Sequence, residues 1–136
     1  MIPFRVDFVP GIPVFEQVVY AAKKAIVSGR IRPGAAFPSV RAISKELKIN
    51  PNTAHKVVLE LTAEGLLAVL PGIGTVVAGP TAGTPAERKR LLEGEIERLV
   101  VEAKKIGLEL DLVLEAVAEH WETLRDQQAP KEPERA

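Results

Sequence analysis

A mainly α-helical fold with one small β-hairpin is what this sequence predicts, and three observations predict it. Apolar residues recur at helical spacing in five stretches of the 136-residue chain, each bounded by a residue suited to starting or stopping a helix. Two short runs rich in branched apolar residues, "LLAVL" and "TVVA", flank a Pro-Gly turn and read as paired strands. A Gly/Pro-rich break, "GPTAGTP" at 79–85, separates the first three helices and the hairpin from the last two helices.

Phe15, Val19, Ala22 and Ile26 fall on one face of a first helix, and Gly29 can supply its left-handed cap. "RIRPG" then turns the chain. Ser39 is a suitable N-cap for a short second helix with Val40, Ile43 and Leu47 inward. Lys48 and Ile49 make a tight connection to a third helix, capped by Asn50 and started by Pro51, whose missing N–H costs nothing at that position. Its inward face is Ala54, Val57, Val58 and Leu61, and Gly65 ends it. Two short helices with a tight turn followed by a hairpin describe a winged helix-turn-helix.

Beyond the break, Thr84-Pro85-Ala86-Glu87 is a capping box. Leu92, Ile96, Leu99, Ala103 and Ile106 then share a helical face up to Gly107, with Lys104 and Lys105 suiting the negative end of the helix dipole. Leu110, Leu114, Val117, Trp121 and Leu124 repeat the pattern in a last helix. Such a two-helix hairpin cannot bury both apolar faces by itself, and a second copy of the chain is the favoured partner. The expected organisation is a winged domain over 1–79, a linker over 80–85, a dimerisation region over 86–126 and a disordered polar tail over 127–136.

Composition narrows the function. Zero cysteines remove disulfides and thiolate metal sites and fit a reducing cytosol. The start, "MIPFRVDFVP", lacks the apolar run of a signal peptide, and no stretch approaches the roughly 18 apolar residues of a membrane span; a cytoplasmic protein is expected. The formal charge of zero divides unevenly: residues 1–79 hold nine Lys/Arg against five Asp/Glu, and residues 80–136 nine against thirteen. The front half can meet a polyanion and the back half cannot.

The third helix carries the functional signal. With Ala54, Val58 and Leu61 inward, Asn52, His55 and Lys56 lie about 100° to 200° away, on the opposite side. Thr53 accompanies them in the first turns, and no acid appears there until Glu60. A helix entering the major groove reads bases with its N-terminal residues: Asn bonds an adenine edge, Thr offers a hydroxyl and a methyl, and Lys meets guanine or phosphate. Arg41 could reach a phosphate or a base from the preceding helix. Each residue also has a plainer reading. Asn50 and Pro51 are cap residues first, Asn52 and Thr53 suit any first turn, and a lone His55 is commonly just solvated.

"GRIRPGAAFPSVRAISKELKINPNTAHKVVLELTAEGLL" followed by "GIGTVV" resembles the winged-helix domain of the GntR family of transcriptional regulators. G-x-[IL]-x-P-G-x-x-[LF]-P-S-x-R-x-[IL] spans 29–43, N-P-N-T spans 50–53, and L-x-x-E-G-L-L and the wing G-x-G-T follow. The likeness covers roughly residues 12–79, and the combination is specific where "PSxR" or "GxGT" alone is not. It implies a homodimeric repressor or activator on a palindromic operator. Ser39 and Arg41 would contact DNA, Asn50, Asn52, Thr53, His55 and Lys56 would lie on the recognition helix, and Gly72 and Gly74 would shape a wing tip approaching the minor groove. The short back half resembles the YtrA-like subfamily, whose C-terminal helices serve dimerisation. Two departures stand out. Leu70-Pro71 precede the wing where relatives are often basic, and Lys56 replaces a frequent arginine, keeping charge but losing the bidentate fork. Modest affinity with strong salt dependence is the expectation.

An enzyme is the weakest rival. His55 and His120 lie 65 positions apart, no G-x-S-x-G or Walker pattern occurs, and no motif calls for a metal or cofactor. His120, beside Trp121 and near Glu115 and Glu119, reads as a helix-surface residue. A protein-interaction adaptor built on the winged helix is the serious alternative, with Arg41 and Lys56 dispensable. RNA binding lacks exposed aromatics, since Tyr20 and Phe37 read as core residues. An effector, if one exists, is not identified by any residue pattern.

Overall fold

In the computed structural model, residues 1–125 are described, and they form two compact units, Met1–Pro80 with Leu124 and Arg125, and Thr81–Thr123. The expected disordered tail, 127–136, lies outside the described residues, as does residue 126 at the end of the dimerisation region. Among the described residues no helix is long and apolar enough to cross a membrane.

The first unit contains helices α1 (Val14–Val27), α2 (Val40–Leu47) and α3 (Pro51–Ala63), then strands β1 (Leu67–Leu70) and β2 (Gly74–Val77). Its core is mainly aliphatic, with Phe4 and Phe37 the two aromatic members. Val18 of α1, Ile43 of α2, and Val57 and Leu61 of α3 are wholly buried, each worth about 1.5–3 kcal/mol of transfer free energy. Val19 and Ala22 point inward as the spacing implied, whereas Phe15 and Ile26 are half-buried and Val18 and Ala25 complete the inner face. Helix α1 is therefore rotated slightly from the face read in the sequence. That rotation carries Tyr20 outward: it is 66% exposed and is no core residue, in contrast to Phe37 at 6%. Lys23 of α1 meets Glu64, at the end of α3, at 2.6 Å.

The helix ends are built as the sequence dictates. Ser28 and Gly29 close α1, the glycine at φ +76°. Lys48 closes α2 in the left-handed region (φ 56°, ψ 48°), and the N–H of Ile49 returns to the Ser44 carbonyl at 3.0 Å. Gly65 follows α3 at φ +79°. The strands pair antiparallel with Leu67 opposite Val77 and Leu70 opposite Gly74.

Two features of this unit had no sequence signal. The extended segment Ala35 to Phe37 lies along the other edge of β2: Phe37 N–H donates to Thr75 O at 2.9 Å and Val77 N–H to Ala35 O at 2.9 Å. It ties the root of the hairpin to the residues just before α2 and covers an edge that would otherwise be open. The chain before α1 is also ordered on the core. Ile2 and Phe4 are buried, Phe4 stacks on Phe37 at 6.0 Å between ring centroids, and Ile2 N–H donates to Glu46 of α2 at 2.7 Å. Gln17 holds the following loop by donating to Val9 O and Ile12 O while its Oε1 accepts from Val9 N–H.

The second unit has α4 (Pro85–Lys89), a π-helical turn (Arg90–Glu95), α5 (Ile96–Lys105) and α6 (Leu110–Thr123). The capping box is present in full: Glu87 N–H donates to Thr84 Oγ1 at 3.1 Å and Thr84 N–H to Glu87 Oε1 at 3.2 Å. A regular α-helix across this region was expected, and the π-helical turn is a departure from it. Gly94 sits in that turn and offers little resistance to a wider one, since glycine has the weakest α preference short of proline. Gly107, at φ +76°, separates α5 from α6. Ala103 is the one buried residue among the described residues of this unit, while Leu92, Ile96, Leu99, Leu110, Leu114, Val117 and Trp121 are all exposed.

Candidate nucleic-acid interface

The second and third helices place the polar residues singled out in the sequence on one unit. Ser39 caps α2 by accepting the Ala42 N–H at 3.1 Å. That bond uses a lone pair of Oγ and leaves the hydroxyl proton to donate elsewhere. Arg41, in the first turn of α2, is exposed and makes no ion pair among the described residues. Asn50 caps α3, its Oδ1 accepting from Asn52 N–H at 2.8 Å, so its amide oxygen is engaged by the helix it starts while its Nδ2 protons are left to donate. Pro51 takes the first helical position.

From that start the helix period does the sorting. Ala54, Val57 and Leu61 turn into the core, and Asn52, His55 and Lys56 turn out and are exposed. Thr53 stands between the two faces, half-buried, and is less available than its neighbours. Lys56, like Arg41, has no acidic partner among the described residues. The outer face of α3 therefore combines an uncommitted cation, an amide and an imidazole near the N-terminal end of a rigid helix, and the first turn of α2 adds a second uncommitted cation. These are the groups that bond phosphates and base edges.

Gly72 and Gly74 occupy a different element, the far end of the hairpin. Ile73 N–H donates to Leu70 O at 3.0 Å, closing a turn with Pro71 second and Gly72 third, the glycine at φ +77° as a type II turn requires. Gly74 follows at φ +115°, and a Cβ at either glycine would meet open space, so backbone conformation rather than crowding requires glycine there. Sequence reasoning placed the two glycines here but overlooked the residue between them, Ile73, whose 75% exposure sets an apolar side chain at the tip.

A helix pair closed by a tight turn, a polar outer face on its second helix and a hairpin wing define a winged helix-turn-helix protein. The sequence pattern of "Bacterial regulatory proteins, gntR family" matches residues 15–77. The HTH-type transcriptional repressor YtrA of Bacillus subtilis (strain 168) is 30% identical over 116 residues, which span 85% of this chain and 89% of YtrA. The uncharacterized HTH-type transcriptional regulator YhcF of the same bacterium is 27% identical over 82% of this chain and 92% of its own length. Among solved structures, a transcriptional regulator from Oenococcus oeni superposes with a TM-score of 0.59 at 27% identity, covering 83% of this chain and 94% of that one. A transcriptional antiterminator from Listeria monocytogenes EGD-e shares the fold, with a TM-score of 0.81 over 95% of this chain and 97% of that one at 20% identity. The chain belongs to the GntR family.

Proposed function

We propose that this chain is a cytoplasmic repressor that binds a palindromic operator as a homodimer. The exposed face of α3 carries the reading: Asn52, His55 and Lys56 project from a helix whose opposite side is locked by Ala54, Val57 and Leu61. In this reading α3 enters the major groove, Asn52 and His55 meet base edges, and Thr53 adds a methyl or hydroxyl contact at the shoulder. Lys56 and Arg41 meet guanine or phosphate, and the hydroxyl of Ser39 donates to a phosphate oxygen beside the N-terminus of α2. Asn50 acts chiefly by fixing the start of α3. Gly72 and Gly74 shape a wing that approaches the minor groove.

The second unit, 81–123, supplies the dimer. Its exposed leucines and Trp121 exceed what a lone helical hairpin can cover, which favours burial against a second copy. Two winged domains would then address half-sites about one helical turn apart, roughly 34 Å, or at a longer spacing. The similarity to the repressor YtrA, over most of both chains, favours repression over activation.

Selection of a randomised double-stranded DNA pool on the purified protein, sequenced at low and high salt, tests this reading. An enriched inverted repeat is the expected result. Arg41→Ala and Lys56→Ala should each weaken binding to that duplex by about tenfold and flatten its salt dependence while leaving thermal stability unchanged. A pool without enrichment would instead support the protein-interaction adaptor, and unchanged binding by both variants would remove these two residues from the interface.

A further inference from the structure

The wing is unlike a polyanion-binding surface in one respect: it has no charge. Between Glu64 and Glu87 the chain contains no ionisable side chain, and the whole hairpin lies inside that interval. Its apolar residues also change character along its length. Leu67 and Val77, paired at the root, are 3% and 2% exposed, whereas Val69 on β1 reaches 64% and Ile73 at the tip 75%. The outer half of the hairpin therefore projects past the core that its root belongs to. Its tip is held in shape by Pro71, by the positive φ of Gly72 and Gly74, and by the Ile73 N–H to Leu70 O bond. The root is held by the Ala35 to Phe37 segment on β2. A branched apolar side chain on a rigid turn, kept in water, suits a partner that is narrow and has an apolar lining.

We infer that Ile73 is a shape-reading contact, an apolar wedge that seats in the DNA minor groove beside each half-site. The inference rests on the DNA-binding reading and adds to it a specificity residue with a definite preference. The minor groove is about 6 Å wide, its walls are sugars, and its floor is obstructed at G·C pairs by the exocyclic N2 amino group of guanine. An isoleucine can lie against sugar faces and an A·T floor, or press between base steps, without any hydrogen bond. It cannot satisfy a guanine N2 donor that it covers, so A·T pairs are favoured under the wing. With no cation in the wing, this contribution is independent of salt, in contrast to that of Arg41 and Lys56.

The test uses the full chain and the duplex enriched from the random pool. Each A·T pair flanking the α3 contacts is replaced in turn by G·C and by inosine·C, which presents the major groove of G·C but lacks the N2 amino group in the minor groove. The expected result is that G·C at the wing position weakens binding and inosine·C restores it. Ile73→Ala should weaken binding by about tenfold with an unchanged salt slope, and lose the distinction between G·C and inosine·C. Ile73→Lys should steepen the salt slope by about two, one for each wing of the dimer. If the native chain binds its duplex specifically but Ile73→Ala binds equally well, or retains the inosine discrimination, the wedge is refuted and the DNA-binding reading stands. If no duplex is enriched at all, both fall together.

Discussion

Lys48 shows how tightly the helix-turn-helix is drawn. It is the one non-glycine residue with a positive φ among the described residues, and it sits where α2 must stop and α3 must start within a few positions. A left-handed conformation costs a side chain with a Cβ about 1–2 kcal/mol, while glycine gives back about 0.5–1 kcal/mol through its looser unfolded chain. Lys48→Gly should therefore stabilise the DNA-free protein by about 0.5–1 kcal/mol, read as a rise in the thermal unfolding midpoint. A fall instead would mean that the Lys48 side chain contributes more than its backbone geometry costs. Residues of this kind were legible in advance only in part. Ser39, Asn50 and Thr84 announce themselves because side-chain oxygens at helix starts have one strong use. Tyr20 did not, because an aromatic near an apolar stripe looks the same in sequence whether it faces in or out.

At the level of elements, periodicity predicted every helix of the first unit because each buries one face on a shared core. What it passed over has no periodicity to read. The Ala35 to Phe37 segment is a single bridge in length, and the chain around Ile2 and Phe4 packs by two side chains only. The π-helical turn was invisible for a different reason: Leu92, Ile96 and Leu99 keep α-helical spacing in the sequence even though Leu92 lies inside the wider turn. Gly94 makes that turn testable. Its φ is not in the left-handed region and a Cβ there would meet nothing within 4 Å. Gly94→Ala should accordingly raise the stability of the helix by about 0.5–1 kcal/mol, measured by the thermal midpoint from circular dichroism. Were the same substitution to separate the proposed dimer, Gly94 would owe its presence to close approach by a second copy.

For the whole molecule, charge and hydrophobicity divide along the same line. The front of the chain carries the excess of cations and a closed, mainly aliphatic core, and the back carries the excess of anions and an apolar surface without a core of its own. An acidic, apolar hairpin is unsuited to DNA and suited to a copy of itself, whose approach would bring two basic winged domains to one duplex. The single tryptophan reports on this, since Trp121 is 78% exposed on the α6 stripe shared with Leu114 and Val117. On raising the concentration through the micromolar range its emission should move to the blue and its quenching by iodide should fall. Val117→Asp should hold the emission red at every concentration, keep the protein monomeric by light scattering, and leave α3 and its fold intact. Binding of the variant to one half-site should then match that of the native chain, while affinity for the full inverted repeat should drop by about 10²–10⁴ through lost bivalency. An emission spectrum that never shifts, together with equal affinity of variant and native chain for the full site, would place the second copy elsewhere or nowhere.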